Sequence, residues 1–398
     1  MCEFATGPKM RKMQGPKRIG LALTNSFAYY RGVLRGIRIF AETRPHWLFT
    51  SVVPDEIPVQ SAGRLRLDGL VASVNTESLA RACTRWRRPL VNVSAVQPGL
   101  PFPRVGADNH SIGKLAAEHF LERGLRHFGF VGHPRWLFSV EREEGFRHAI
   151  TEAGYETASF HDTAQGPFDP FGQHWPLNRR VQRWLQRLPK PVGVFAPSDL
   201  WGLTLTETCR QVDLRVPEEV ALLGVDNDDL HCELARPPLS SIVLPSERIG
   251  MEAASVLDRM LSGKRAPTKP ILLLPHGVMV RGSSDVLAID DAEVVAAARF
   301  ISSHGHEPLR VADVLKQVPV ARRSLERRFR KELGRGISKE IRRVHMDRAK
   351  RLLTETDLPI ALVATQSGFS AFRQMAVVIR QETGQSPTAY RRSMRGFH

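Results

Sequence analysis

Cysteine is scarce in this chain and shows no paired spacing. The 398 residues contain four cysteines and no C-x-x-C motif. They are Cys2, Cys83, Cys209 and Cys232. A disulfide framework or a cysteine-based zinc site needs closely spaced cysteines. The composition therefore argues against both and is typical of a reducing compartment.

Long hydrophobic runs are also missing. No apolar segment approaches the roughly 20 residues that span a bilayer. The basic start of the chain, MCEFATGPKMRKMQGPKR, precedes only the six-residue stretch IGLALT. A secretory signal has about 7–15 apolar residues followed by a cleavage site with small residues. We therefore expect a cytoplasmic protein.

Motifs for nucleotide binding and catalysis are likewise lacking. No G-x-G-x-x-G or G-x-x-x-x-G-K-[ST] follows a strand-like segment, and GLTLTETC is not the G-x-S-x-G turn of a hydrolase. His304 and His306, with Glu307, have no further ligand at metal-binding spacing. We predict no catalytic residues, no metal site and no cofactor.

Positive charge is in excess, and it is concentrated at one end. The formal net charge is +16. Residues 308–398 carry 20 Lys and Arg against 8 Asp and Glu, residues 1–18 carry 5 against 1, and residues 19–307 balance at 32 of each. A neutral body with a basic C-terminal unit predicts a domain that binds a polyanion. The alternative is that the basic side chains only increase solubility.

A chain of this length predicts two or three domains. Up to residue 226, short apolar runs alternate with helical patterns at 30–42, 141–154 and 200–212. The runs are RIGLAL (18–23), LFTSVV (48–53), DGLVAS (68–73), PLVNVS (89–94), HFGFVG (127–132), VGVFAP (192–197) and VALLGVD (220–226). Apolar strands between helices predict parallel sheets covered on both faces, here in two doubly wound subdomains. Ligands of such folds bind beyond the carboxyl ends of the strands.

Beyond a polar, acidic boundary at 283–291, every pattern is helical. The helical segments are 291–304, 310–318, 337–356, 360–368 and 370–384. Two similar pairs, each with a short helix, a tight turn and a longer helix, are 310–318 with 320–334 and 360–368 with 370–384. The predicted fold class is therefore α/β with two parallel-sheet subdomains, followed by an all-α domain with two helix–turn–helix units.

The segment VARRSLERRFRKELG (320–334) combines charge with an apolar stripe. It holds five arginines and one lysine, and it spaces Leu325, Phe329 and Leu333 four apart. On a helix, the apolar side chains share one face and arginines the opposite one. Such a helix packs one face on its neighbour and offers guanidinium groups to guanine in the DNA major groove. The flanking cations expected to neutralise phosphates are Arg322, Arg328 and Lys331.

The C-terminal region resembles the DNA-binding domain of the AraC/XylS family. The resemblance is carried by SLERRFRKELG, RAKRLL, IALVATQSGF and TGQSPTAYR. It implies two helix–turn–helix units joined by a long helix and placed in successive major grooves. The residues that it implies at the DNA are Arg323, Glu326 and Arg327 in the first unit and Phe372, Arg373 and Gln374 in the second. The alternative for the first unit is a solvated, arginine-rich helix.

Two departures from the family pattern affect these expectations. Ala321 stands where the family has a Ser or Thr cap, which removes a hydrogen bond worth about 1 kcal/mol. The spacing also places Phe372 on one apolar stripe with Met375 and Ile379. Phe372 is therefore either a core residue or a DNA-facing one. We expect the first unit to carry most of the base specificity.

Residues 18–281 resemble the effector domain of LacI/GalR-type regulators, which is related to periplasmic sugar-binding proteins. The motifs are VGADNHSIGKLAAEHFLERGLRHFGFVG, EREEGFRHAITEAGY, VFAPSDLWGLTL and VPEEVALLGVDND. A LacI-like domain joined to an AraC-type domain is the arrangement of the xylose operon regulator family. The resemblance implies a homodimeric activator that responds to a pentose such as D-xylose, binds direct repeats on double-stranded DNA and contacts RNA polymerase.

A sugar site needs groups that make several hydrogen bonds at once. By motif position, the candidates are Arg142 as the forked donor, Ser198, Asp199, Asp226 and Asn227 as acceptors, Trp136 as the stacking surface, and Asn25 and Ser26 on the opposite wall. Three of them have a structural alternative. Arg142 pairs with Glu143, Asp199 caps a helix, or Asp226 belongs to a turn.

These patterns divide the chain into a basic flexible tail (1–17), a sugar-sensing domain (18–283), a linker (284–291) and a DNA-binding domain (292–398). Other functions stay open as alternatives. A soluble sugar-binding protein of a transport system leaves the basic C-terminal domain unexplained. A DNA-modifying enzyme needs a reactive cysteine with a base or metal partner, which the sequence lacks. A further alternative is a regulator whose effector is not a pentose.

Overall fold

The computed structural model describes residues 15–52, 65–161, 179–286, 288 and 291–395. Most of the predicted tail, and positions 287, 289 and 290 of the predicted linker, lie outside the described residues. Among the described residues, every helix is too short or too polar to cross a membrane.

Strands and helices alternate up to residue 286, and beyond that all described elements are helices. The strands are β1 (Lys17–Ala22), β2 (Trp47–Ser51), β3 (Gly69–Ala72), β4 (Leu90–Asn92), β5 (Val105–Ala107), β6 (His127–Gly132), β7 (Thr157–His161), β8 (Val192–Phe195), β9 (Val220–Val225), β10 (Ser240–Val243), β11 (Ile271–Leu273) and β12 (Gly277–Met279). The helices of this part are α1 (Ala28–Ala41), α2 (Glu77–Trp86), α3 (Asn109–Leu121), α4 (Leu137–Glu152), α5 (Arg179–Arg187), α6 (Asp199–Gln211), α7 (Asp229–Leu234) and α8 (Ser246–Leu261).

The strands form two subdomains, which together we call the α/β domain (described residues 15–286). In the first, parallel strands follow the order β2-β1-β3-β4, and β5 pairs in parallel with β11. In the second, the order is β12-β10-β9-β8-β6-β7, with β12 antiparallel to β10 and the other pairings parallel. The chain crosses between subdomains after β5, after β10 and after β11. The predicted doubly wound fold class is confirmed.

Burial on both faces explains the apolar strands. All residues of β8 and all residues of β9 are buried, as expected for central parallel strands covered by helices. In each subdomain one pair of covering helices comes into backbone contact, α1 with α8 in the first and α3 with α4 in the second. In the pair α3 and α4, a Cβ atom on Gly113 would lie 2.1 Å from the carbonyl oxygen of Arg142, and one on Gly145 would lie 2.2 Å from that of His110. Only glycine permits this approach.

The C-terminal part, which we call the helical domain (described residues 291–395), is built around one long helix. Its helices are α9 (Ala292–Ser303), α10 (Val311–Gln317), α11 (Arg322–Leu333), α12 (Ile337–Glu355), α13 (Ile360–Gln366), α14 (Phe372–Thr383) and α15 (Pro387–Arg395). One core joins α9, α10 and α11 to the first half of α12, and a second joins α13, α14 and α15 to its second half. The predicted pair of helix–turn–helix units is thus present in the fold.

The α/β and helical domains contact each other through charged side chains. Arg126, after α3, lies 2.9 Å from the carboxylate of Glu332 in α11, which is 7% exposed. Nearby, Glu340 is buried between Arg335 and Arg343, at 2.5 and 2.8 Å. Burial alone would raise the pKa of Glu340, but Arg343 and Arg335 hold it at about 2. A carboxylate paired in this way fixes the geometry of the surrounding elements.

Candidate functional site

A cavity lies between the two subdomains, beyond the carboxyl ends of β4, β8, β9 and β10. Its empty volume, including the open mouth, is about 850 Å³. The polar groups that line it include Ser94, Arg104, Asn109, Arg142, Ser198 and Asp226. This is the position expected for a ligand of a doubly wound fold.

Aromatic rings make up much of the cavity wall. They come from Phe27, Tyr29, Tyr30, Trp136, Phe138 and Trp201. The Trp136 ring stacks on His133 with centroids 4.3 Å apart and meets Trp201 edge-on at 5.8 Å. The Tyr29 hydroxyl donates to the carbonyl oxygen of Val93 at 2.8 Å. Rigid rings around a few polar groups suit a ligand with both apolar faces and hydroxyls.

Arg142 lies in the cavity wall and is 5% exposed. Its Nε donates to Oδ1 of Asn109 at 3.0 Å, its Nη1 donates to the Pro197 carbonyl oxygen, and its guanidinium lies 5.0 Å from the Phe138 ring centroid. Burial lowers the pKa of Arg142, and the nearby Asp226 opposes that shift. The alternative pairing with Glu143 is wrong, because Glu143 contacts His161 at 2.7 Å.

Asp226 follows β9 and lines the cavity with its side chain. The backbone of Asp226 has φ of 110° and that of Asn227 has φ of 50°. Asp226 therefore belongs to a turn, as the alternative predicted, and lines the cavity as well. No described residue donates a hydrogen bond to the Asp226 carboxylate. Burial raises the pKa of Asp226 to about 7; Arg142 opposes the shift and Asp228 adds to it. Strained residues of this kind are concentrated at functional sites.

Asp199 does not line the cavity, unlike its neighbour Ser198. Its carboxylate accepts from Oγ of Ser241 at 2.5 Å and from the backbone N–H of Asp228 at 2.7 Å. Burial raises the pKa of Asp199 well above its ordinary value, and Asp226 adds to the shift. Ser198 is the residue that caps α6, so the N-cap alternative for Asp199 is also wrong. Asp199 instead supports the loop that carries Asp226.

Three other predicted ligand residues lie outside the cavity lining. The side-chain oxygen of Asn227 accepts from Arg281 at 2.9 Å. Asn25 and Ser26 are exposed, and their carbonyl oxygens accept from Arg31 at 3.2 Å each. The loop after β1 turns outward at these two residues because α1 begins only at Ala28. The wall that they were expected to form comes from aromatic side chains at the start of α1.

Sequence reasoning missed Ser94, Arg104 and Asn109 as lining residues. Asn109 receives the Arg142 hydrogen bond and donates to Glu141 at 2.7 Å. Glu141 also lies 3.4 Å from Arg104. The motif VGADN contains Asn109, and its strand-to-helix junction was a signal that the position meets the cavity. Nothing in the sequence distinguishes Arg104 from the other arginines.

In the first helix–turn–helix unit, α11 separates its two faces as the periodicity predicts. Leu325, Phe329 and Leu333 are buried in the core with α9 and α10. Arg322, Arg323 and Arg327 are exposed, and no hydrogen bond or ion pair joins them to another described residue. Lys331 is exposed too, 3.5 Å from Glu332. A row of unpaired guanidinium groups therefore faces solvent.

Arg328 and Glu326, also predicted at the DNA, contact neighbouring elements of the helical domain. Arg328 is half-buried and lies 2.9 Å from Glu293 and 3.4 Å from Asp291, which caps α9. Glu326 is also largely buried, and its carboxylate packs against Gly336 in the turn before α12. Both side chains fix α11 against its neighbours. As predicted, Ala321 makes no side-chain cap for this helix.

In the second unit, α14 buries Met375 and Ile379 and exposes Phe372. Phe372 is 49% exposed, so the core interpretation of this residue is wrong. Arg373 and Gln374 are exposed beside it, and Oε1 of Gln374 accepts from Oγ of Ser370 at 2.9 Å. Phe372 starts the helix and therefore projects past the end of the core.

Two segments of the chain match models of known domains. Residues 117–284 match the model of a periplasmic binding protein-like domain, and residues 314–393 match that of a helix-turn-helix domain. Among the described residues, no group of three or more His, Cys, Asp and Glu could hold a metal ion. Together the matches define a class: a DNA-binding regulator with a ligand-binding domain preceding the helix–turn–helix units.

Individual relatives extend this similarity over nearly the whole chain. The xylose operon regulatory protein of Escherichia coli strain K12 is 27% identical over 393 residues, covering 94% of this chain and 96% of that protein. Its counterpart in Haemophilus influenzae is 26% identical, with 94% and 98% covered. A solved structure of a xylose-binding transcription activator aligns with a TM-score of 0.60 at 26% identity, covering 95% and 98%. The resemblance predicted from the motifs is confirmed.

Proposed function

We propose that this chain is a sugar-responsive transcription regulator with a pentose, D-xylose, as its effector. One observation carries the proposal: a single chain has an aromatic-walled cavity with Arg142 and Asp226, and also an unpaired arginine row on α11. The relatives named xylose operon regulatory proteins share both domains. Such a regulator acts in the cytoplasm, needs no cofactor and catalyses no reaction.

The cavity has the chemistry that a neutral sugar needs. The Asp226 carboxylate is an acceptor without a donor among the described residues, and Ser94 and Ser198 add hydroxyl groups. The aromatic rings cover the apolar faces of the sugar ring, while these polar groups bind its hydroxyls. A soluble transport protein would need the same cavity, but it would not need residues 291–395.

The helical domain supplies the DNA contacts. Arg323 and Arg327 read base edges in the major groove, and Arg322 and Lys331 bind phosphates. Phe372, Arg373 and Gln374 bind DNA from the second unit. Arg328 and Glu326 act indirectly, because they orient α11 through Asp291, Glu293 and the turn at Gly336.

The helix α3 provides a physical link between the cavity and the helical domain. It begins at the cavity with Asn109. At its other end, His119 and Arg123 contact Ser284 at 2.8 and 2.9 Å, and Arg126 reaches α11. A sugar shifts DNA binding only by its difference in affinity for two arrangements of the domains. In a homodimer, such a shift adjusts both helical domains to direct-repeat half-sites and favours activation through RNA polymerase.

Titration of the purified protein with D-xylose, L-arabinose and D-ribose tests this proposal. Trp136 and Trp201 line the cavity, so we expect a saturable change in tryptophan fluorescence with D-xylose. The same sugar should change the affinity for DNA from upstream of the protein's own gene, measured by fluorescence anisotropy. A response to another sugar alone would assign a different effector. No response to any sugar would contradict the proposal.

A further inference from the structure

Arg104 has a guanidinium donor that none of the described residues accepts. The residue precedes β5 and lines the cavity, and its side chain is 14% exposed. Its Nη2 lies 3.4 Å from Glu141, but its Nη1 is fully buried and has no hydrogen-bond partner among the described residues. A buried donor without an acceptor costs free energy. A group that supplies an acceptor at this position therefore gains that energy.

Arg142, by contrast, has two of its three guanidinium nitrogens bound to the protein. Its Nε binds Asn109 and its Nη1 binds the Pro197 carbonyl oxygen. These contacts hold the Arg142 side chain across the cavity wall and leave it less able to reach a ligand. Of the two arginines that line the cavity, Arg104 has the unsatisfied buried donor.

The charges around the cavity identify the ligand class. Glu141 contacts both Arg104 and Asn109, at 3.4 and 2.7 Å. Burial raises the pKa of Tyr29, Tyr30 and Asp226 raise it further, and Arg142 and Arg104 lower it, so charges of both signs act on this hydroxyl. The positive charges of Arg104 and Arg142 are matched by the carboxylates of Glu141 and Asp226. A neutral polyol fits such a site better than a sugar phosphate or a sugar acid.

We propose that Arg104 is a ligand-binding residue that donates to one oxygen of a neutral sugar and thereby determines which sugar is accepted. This inference rests on the proposed function and deepens it. The oxygen is a hydroxyl or the ring oxygen. Glu141 positions the guanidinium from behind, so the direction of the donor is fixed before the sugar enters. A sugar that lacks this oxygen leaves the donor unsatisfied.

A hydroxyl scan tests the assignment. The affinity of D-xylose and of its monodeoxy analogues is measured by tryptophan fluorescence for the wild type, Arg104→Met and Arg104→Lys. We expect Arg104→Met to weaken D-xylose binding roughly 10- to 100-fold, the range for a hydrogen bond to a charged group. If the partner is a hydroxyl, the wild type and Arg104→Met should bind one analogue equally. If the partner is the ring oxygen, the wild type and Arg104→Met should instead bind the 5-thio analogue, in which sulfur replaces that oxygen, with equal affinity.

The control is Arg44→Met, which removes an arginine paired with Asp258 at 3.1 Å in the same subdomain but outside the cavity lining. It should bind D-xylose as the wild type does. Arg104→Lys keeps the positive charge but lacks the planar, two-pronged guanidinium group, so it should change the order of affinities among the analogues. Unchanged D-xylose binding by Arg104→Met, or an equal loss for every analogue, would overturn the inference. If the wild type binds no sugar, the proposed function fails first and this inference with it.

Discussion

Asp226 combines two features that destabilise a folded protein. Its backbone has φ of 110°, a conformation unfavourable for a residue with a side chain. Its carboxylate is half-buried at the cavity wall and has no hydrogen-bond donor among the described residues. A residue chosen for stability alone would be glycine or asparagine at such a turn. The position is better explained by what the carboxylate binds.

The stability of the protein should therefore depend on the protonation of Asp226. Its pKa is about 7 in the folded protein and about 4 in an unfolded chain. The folded state binds the proton more tightly, so this stabilisation is present below about pH 4 and is lost as the pH rises through about 7. Asp226→Asn should melt at a higher temperature than the wild type at pH 8 and bind D-xylose more weakly. Parallel melting profiles between pH 5.5 and 8 would contradict the prediction.

At the scale of elements, the sequence predicted best where periodicity and burial agree. The segment HFGFVG was predicted as a strand at 127–132, which are the bounds of β6, and 337–356 differs from α12 by one residue. The short strands β5 and β11 have three residues each, too few to show a period. They pair with each other although they are far apart in the sequence, and a local pattern cannot predict such a pairing.

The site was less predictable than the fold, because it depends on the direction in which each side chain points, and the sequence does not contain that information. Arg142, Ser198, Asp226 and Trp136 line the cavity as expected. Asp199 is adjacent to Ser198, yet the start of α6 turns its carboxylate into the interior. The periodicity of α11 identified its core face, but it could not reveal that Asp291 and Glu293 engage Arg328, because these residues belong to another helix.

The two kinds of arginine on α11 should respond differently to substitution. Arg323→Ala and Arg327→Ala remove exposed groups that have no partner among the described residues. Each should therefore cost about 1–3 kcal/mol in binding to the specific DNA, with little change in melting temperature. Arg328→Ala breaks contacts to Asp291 and Glu293 and should lower the melting temperature.

These variants are compared by fluorescence anisotropy with specific and unrelated DNA and by thermal unfolding. D-xylose affinity is the control and should stay the same in all three variants. Equal loss of binding to unrelated DNA would assign Arg323 and Arg327 to phosphates instead of bases.

At the scale of the whole molecule, one rigid unit connects the two sites. The backbones of α3 and α4 touch at Gly113 and Gly145, so α3 cannot move independently of the helix that carries Arg142. A helix of 13 residues is about 20 Å long. Its far end is fixed to the start of the connection between the domains, because Ala288 donates to the Arg123 carbonyl oxygen at 3.0 Å. We therefore expect displacement at the cavity to reach the helical domain through α3 and the turn that follows it.

The ion pair between Arg126 and Glu332 is where this unit meets α11, so reversing its charges tests the connection. Arg126→Glu places two carboxylates at a contact of 2.9 Å, and Glu332→Arg places two guanidinium groups there. Each single variant should bind D-xylose with wild-type affinity, because neither residue lines the cavity. Each should reduce the sugar-induced change in DNA affinity by about two- to fivefold, the scale of a partly exposed ion pair.

The double variant with both charges exchanged restores an attractive pair and should recover most of the sugar response. The sugar response of each variant is measured by titrating specific DNA with and without saturating D-xylose. One salt concentration is used throughout, because salt weakens both the Arg126–Glu332 ion pair and the contacts with DNA phosphates. Recovery in the double variant separates the loss of this contact from general damage to α11, which a second substitution would only increase. If the single variants respond to sugar as the wild type does, the signal reaches α11 by another route. The contacts of His119 and Arg123 with Ser284 would then be the ones to alter.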